Sequence, residues 1–212
     1  MDPTGVTVQG VPWWGVASST GAPVLLVGGW TLAAGLQRRP FDPVSETISG
    51  LMAVGATDRW VMTTAFLAVG VCYIITGAAL RPAAWAGRVV LIAGAAAGMM
   101  VAVNPEPAAG GGTAAHAAWA SLGLAGLAAW SAFAWRRGSP VPWGLRPKAC
   151  FSAIAVQLIL LAWFVAELIS GAGQDGLAER VVALAQAAWP LTVVLSCLGR
   201  PGQPRPPTPT WR

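Results

Sequence analysis

Charge is missing from most of this chain, and the places where it is missing decide what the chain can fold into. No Asp, Glu, Lys or Arg occurs from Pro3 to Gln37, from Trp60 to Leu80, from Pro107 to Trp135 or from Ala149 to Ala166. A helix needs ~20 apolar residues to cross the hydrocarbon core of a bilayer, and each gap supplies such a span. Two more stretches, Ala84 to Val103 and Val181 to Leu198, qualify if Arg88 near one end snorkels to the headgroups. Of 212 residues, 55% are apolar and 10% charged, against roughly 25% charged in an ordinary soluble domain. That excludes a soluble globular enzyme, and equally a disordered polymer.

The expected fold is therefore an all-α integral membrane bundle of six transmembrane helices. Their approximate limits are Trp14 to Leu36, Trp60 to Leu80, Ala84 to Val103, Ala114 to Trp135, Ala149 to Ser170 and Val181 to Leu198. Residues 1–199 form one membrane domain, and residues 200–212, with five prolines, read as an extended cytoplasmic tail. The first span lacks a basic n-region and is longer than a signal h-region, so it is expected to be retained. No internal repeat is visible.

Lys and Arg in short loops mark the cytoplasmic side. With six spans, the side of the termini carries Arg81, Arg88, Arg136, Arg137, Arg146, Lys148, Arg200, Arg205 and Arg212 against Asp2 alone. The other side carries Arg38, Arg39, Arg59 and Arg180 against Asp42, Glu46, Asp58, Glu106, Glu167, Asp175 and Glu179. Both termini are thus expected in the cytoplasm and the protein in the cell membrane. The basic residues are scattered over short connections, so they mark topology rather than a nucleic-acid surface. Cys72, Cys150 and Cys197 make no redox or metal pattern, and a single His without HExxH or CxxC spacing gives no zinc site. No metal or cofactor is implied, and nucleotide chemistry has no motif here. Small residues such as Gly94, Ala95, Ala97 and Gly98 let helices approach closely.

Polar residues concentrate on the outer side, beginning with FDPVSETISGLM at Phe41 to Met52. Asp42 can cap a helix starting at Pro43. Val44, Ile48, Leu51 and Met52 would then share one apolar face, with Ser45, Glu46 and Ser49 pointing elsewhere. This predicts a short interfacial helix after the first span. FDPVSETISGL at Phe41 to Leu51, RWVMTTAF at Arg59 to Phe66, NPEP at Asn104 to Pro107, His116 opening the fourth span and GLAER at Gly176 to Arg180 together resemble the domain-of-unknown-function 998 family of six-span actinobacterial membrane proteins. The resemblance covers nearly the whole chain and implies a fold and topology more than an activity. Two positions depart from the pattern: Gly50 stands where an acid is expected, and Glu167 where only apolar residues are.

Glu167 lies about one turn from the outer end of the fifth span, where a carboxylate facing lipid centrally costs ~2.5 kcal/mol or more. It either snorkels or pairs with Arg180 or Arg59, or it is held in apolar surroundings as a proton donor. His116 sits on the same side as Asp42, Glu46, Glu106, Glu167 and Glu179, as either a satisfied hydrogen-bonding group or a catalyst. Of the 12 tryptophans, Trp13, Trp14, Trp60, Trp85, Trp135 and Trp143 fit interfacial belts. Trp30, Trp119, Trp163 and Trp189 fall within spans, and Trp163 shares a helical face with Glu167.

An acid in an apolar pocket with several indoles is what proton-initiated cyclisation of an isoprenoid needs, since the π faces stabilise carbocations. The leading expectation is a terpene cyclase-like membrane enzyme acting on a polyprenyl substrate. Glu167 or Asp42 would be the donor, Glu46 and His116 tuning partners or the final base, Trp30, Trp119, Trp163 and Trp189 the wall, and Ser49 a further substrate contact. The alternative is a non-catalytic lipid-binding or envelope-assembly protein using the same polar cluster for a membrane lipid. A transporter is weaker, because paired halves with broken helices are not evident. Oligomeric state is not legible.

Overall fold

The chain forms six long helices, seen in a computed structural model that describes residues 10–108 and 112–198. They are α1 (Trp13–Gly35), α2 (Trp60–Ala79), α3 (Trp85–Val103), α4 (Ala114–Ala134), α5 (Pro147–Ser170) and α6 (Asp175–Leu198). Two short 3-10 turns, Ser49–Met52 and Trp143–Leu145, complete the described structure, which holds no strand. The Pro-rich 200–212 segment, Asp2 and most of the Gly-rich run after Ala108 lie outside the described residues. All six helices are long and apolar enough to cross a bilayer, so the bundle is a multi-pass membrane domain.

Helix ends follow local chemistry. The Thr113 hydroxyl caps α4 by accepting the His116 N–H at 3.1 Å. Pro147 opens α5, where its missing N–H costs nothing. Gly171, at φ 63°, ends α5 in the left-handed region. Arg88, expected to snorkel, instead donates to the carbonyls of Gly77 and Ala78 at the end of α2, at 2.7 and 2.8 Å. Five span starts match the sequence expectation within about two residues. The exception is α6, which begins at Asp175 rather than Val181, so that its first turns carry the GLAER segment.

Each helix packs on the next in the chain, and α6 packs back on α1, closing a ring. One end carries the start of α1, the end of α6 and, among the described residues, Arg81, Arg88, Arg136, Arg137, Arg146 and Lys148. The opposite end, called here the acidic end, carries the α1–α2, α3–α4 and α5–α6 connections with their acids. Between α3 and α4 the backbones almost touch: a Cβ on Gly94 would lie 2.9 Å from the Leu127 nitrogen, and one on Gly126 would lie 2.8 Å from the Gly94 Cα.

Candidate functional site

The α1–α2 connection is seated on the start of α6. Asp42 accepts the Val44 N–H at 3.0 Å and the Ser45 hydroxyl at 2.7 Å, and the Glu46 N–H returns to the Asp42 carbonyl at 2.8 Å. This capped turn does not propagate into the expected helix from Pro43 to Met52. The reason is competition for backbone groups. A helix would pair the Ile48 N–H with the Val44 carbonyl, but that carbonyl accepts from Leu177 N–H at 2.9 Å, and the Ile48 N–H goes to the Glu179 carboxylate. Arg180 takes the carbonyls of Pro43 and Glu46 at 3.0 and 2.7 Å. Gly176 makes the approach possible, since a Cβ there would collide with the Glu46 carbonyl oxygen. A turn and a 3-10 turn replace the helix. Of its predicted apolar face, Ile48, Leu51 and Met52 are buried, whereas Val44 is exposed.

Electrostatics hold the same connection. Arg39 forms a two-pronged ion pair with Glu46, and this holds the Glu46 carboxyl below its ordinary range despite partial burial. The Ser45 hydroxyl, followed by the Val44 N–H, likewise lowers Asp42.

The NPEP turn contributes the second half of the site. Its Glu106 carbonyl accepts the Val54 N–H at 2.8 Å, tying the two connections together. His116, 5% exposed, places Nδ1 2.9 Å from the Asn104 carbonyl and Nε2 3.5 Å from Glu106 Oε1. A carbonyl can only accept, so Nδ1 carries a proton. Nε2 is left facing the Glu106 carboxyl, near enough for an ion pair whenever the imidazole is protonated.

Beneath these groups the ring encloses a cavity of about 440 Å³. Ser49, Glu106, His116 and Glu179 gather at its acidic end. Leu26, Phe66, Tyr73, Met99, Leu127 and Phe164 supply its apolar body. Gln186 lines it as well and crosses from α6 to donate to the Leu124 carbonyl of α4 at 3.0 Å. Both Glu179 oxygens accept, one from Ile48 N–H and the other from the Ser49 hydroxyl at 3.1 Å.

The wall of the cavity is uneven. Lining residues on α1, α2, α3 and α6 are buried or half-buried. The exposed ones lie on α4 and its approach (Gly112, Ala117, Ser121) and on α5, where Val165 is 44% and Leu168 53% exposed. The gap between α4 and α5 is thus the side through which the cavity meets the bilayer.

Four of the segments that meet at this end, Phe41 to Leu51, Asn104 to Pro107, His116 and Gly176 to Arg180, are those that carried the family resemblance. The family model described as "Protein of unknown function (DUF998)" matches residues 20–196, most of the chain. The chain belongs to this family. No curated protein and no solved structure matches it.

In this DUF998 chain the sequence-predicted residues scatter. His116 and Ser49 line the cavity. Asp42 and Glu46 shape the connection above it without lining it. Glu167 lies off the cavity: its Oε1 accepts the Trp163 indole N–H at 3.1 Å, and its Oε2 is buried without a hydrogen bond. Neither suggested partner reaches it, because Arg180 is engaged by the α1–α2 connection and Arg59 donates to the Met52 carbonyl at 3.3 Å. Trp163 and Glu167 sit one position round α5 from the cavity-lining Phe164 and Leu168, a turn of about 100°.

The four tryptophans do not line the cavity either. Trp30 lies under Arg180, 5.9 Å from guanidinium to ring centre. Trp119 packs on the α-helical core. Trp189 lines a second cleft beside Trp143 and the buried Gln157. The residues that sequence reasoning left out of the site are Glu179 and Glu106, with Phe66, Tyr73 and Phe164 as the aromatic wall. Their available signal was the GLAER and NPEP segments. Among the described residues no group of three His, Cys, Asp or Glu is placed to hold a metal ion.

Proposed function

We propose that this protein binds a lipophilic small molecule taken from the bilayer, with its chain in the central cavity and its polar end at Glu106, His116 and Glu179. The observation that carries this reading is the uneven wall: an apolar cavity, polar at one end only, whose exposed lining residues lie on α4, its approach and α5. Apolar pockets with a few convergent polar groups are the usual form of small-molecule sites. In this reading the protein sits in the plasma membrane with both termini cytoplasmic, which the distribution of basic residues supports.

A hexadecane bearing a diazirine, incorporated with the purified protein into nanodiscs, tests it. Illumination should label α4 and α5 peptides around Ser121 and Val165. Gly98 lines the cavity, and a Cβ there meets nothing within 4 Å, so Gly98→Leu fills the space and should abolish that labelling. Labelling that is unchanged in Gly98→Leu overturns the reading. A reporter after Arg212 active only outside the cytoplasm overturns the orientation.

A second reading, proton-initiated cyclisation of an isoprenoid, is favoured by one observation. The His116–Glu106 pair, 3.5 Å apart, faces a cavity walled by Phe66, Tyr73 and Phe164. The pair would protonate an alkene or epoxide and recover the proton from the last carbocation, a net isomerisation. Membranes incubated with linear and epoxidised farnesyl compounds should then yield cyclised isomers. Glu106→Gln should cut turnover by about 100-fold to 10,000-fold, as loss of a general acid does, and Glu167→Gln should leave it unchanged. Wild-type membranes that yield no isomer exclude this reading.

A further inference from the structure

The polar end of the cavity has a sign as well as a place. Among the described residues no Lys or Arg lines it. The nearest guanidinium, Arg180, does not line the cavity: it gives Nη1 to the carbonyls of Pro43, Glu46 and Gly176, lies against the Phe41 and Trp30 rings and keeps Nη2 buried without a hydrogen bond, while its charge acts on Glu179 from the neighbouring position of α6. A positive charge on His116 would face the Glu106 carboxyl 3.5 Å away, so the ring offers no free cation to an incoming anion. Glu179 is left. Its Oε2 accepts the Ile48 N–H and its Oε1 lies 3.1 Å from the Ser49 hydroxyl, and each oxygen keeps a lone pair for a further donor. The acidic end as a whole carries four arginines against seven acids.

A phosphate or carboxylate head brought here would add like charge in a low-dielectric setting. A protonated amine would meet its complement and supply N–H donors to Glu179 and to the Ser49 and Thr47 hydroxyls that also line this end. Below it, the lining on α4 runs from His116 to Leu127, about 16 Å at 1.5 Å per residue, which is room for a chain reaching roughly half-way across a ~30 Å hydrocarbon core.

We infer that the ligand is a long-chain amine, an amphiphile whose ammonium head sits at Glu179 and whose chain fills the cavity along α4. This rests on the lipophile-binding reading and names its ligand class. Competition against the hexadecane photoprobe, in nanodiscs of phosphatidylcholine alone, tests it. Hexadecylamine should displace the probe at the lowest concentration, hexadecanol next, and hexadecanoate and hexadecyl phosphate last. In Glu179→Gln the lead of the amine over the alcohol should shrink by about 30-fold or more, as loss of one partner of a buried charge pair does.

Should Glu179→Gln fail to fold, Ala183→Lys places a cation one turn along the same cavity-lining face of α6. It should remove the preference for the amine and raise that for hexadecanoate. Anions that displace the probe as well as the amine does overturn the amine assignment and leave the cavity reading standing. If none of the four competes and Gly98→Leu labels like wild type, both fall together.

Discussion

The two walls that meet at α4 are built in opposite ways. Toward α3, glycine faces backbone: Gly94 lies on Gly126 and Leu127, Gly123 on Gly98, and a Cβ on Gly87 would collide with Ala134. Toward α5, contact is through side chains such as Leu124, Leu161 and Phe164, and the lining residues Ser121, Val165 and Leu168 remain exposed. In a bilayer no hydrophobic force drives helices together, so close backbone approach is what fixes a wall. The contrast teaches that one side of α4 is committed to the fold by backbone contact, while the other is held by side chains alone and is the side the proposed ligand would enter.

The largest expected effect comes from breaking the tight wall. Gly94→Leu drives four carbons into backbone that cannot yield and should cost ~3 kcal/mol or more, read as lost resistance to unfolding in mixed micelles. Ser121→Trp at the loose wall should leave that resistance near wild type while slowing photoprobe labelling several-fold. Equal losses of stability in these two variants would erase the distinction. Leu168→Ala, at a side chain more than half exposed, should change stability by less than about 0.5 kcal/mol.

Acid should touch neither wall and act only on the connection above them. Asp42 and Glu46 are held below their ordinary range in the fold. Their contribution is therefore present above the unfolded carboxylate value of ~4 and is lost as pH falls through the lower folded values. Amide protection of residues 42–48, taken relative to the unfolded chain at the same pH, should fall there while the α3–α4 amides stay protected. Protection at 42–48 that is unchanged by acid would contradict the assignment.

Helix number and every limit but the start of α6 were legible, because charge-free length is a direct image of bilayer thickness; α6 begins inside a charged segment, at Asp175. The site was not, because the inside and outside of a membrane bundle are equally apolar and periodicity cannot tell which face turns inward. Glu167 and Glu179 look alike in sequence, each an acid near the same end of a span. What separates them is a rotation of α5 and the close approach at Gly176, neither of which leaves a mark in hydropathy. The four interior tryptophans misled for the same reason: helix contacts outside the cavity use large aromatic side chains as readily as a pocket does. The short helix expected after α1 failed on a different ground, since its N–H and carbonyl groups found partners 130 or so positions away on α6.

That seating has a consequence for how the protein is made. Chains are synthesised and inserted from the N-terminus, and the 41–52 segment takes its backbone partners from α6, the last of the six helices. While the first five are already in the membrane, Ile48 and Val44 still lack those partners and the cavity lacks the side formed by α6. Its ring closes only when α6 joins the other five and Gly176 comes to rest on Glu46. If the cavity takes a lipophile as proposed, a molecule present in the bilayer at that moment can be enclosed as the ring closes, without passing between α4 and α5 at all.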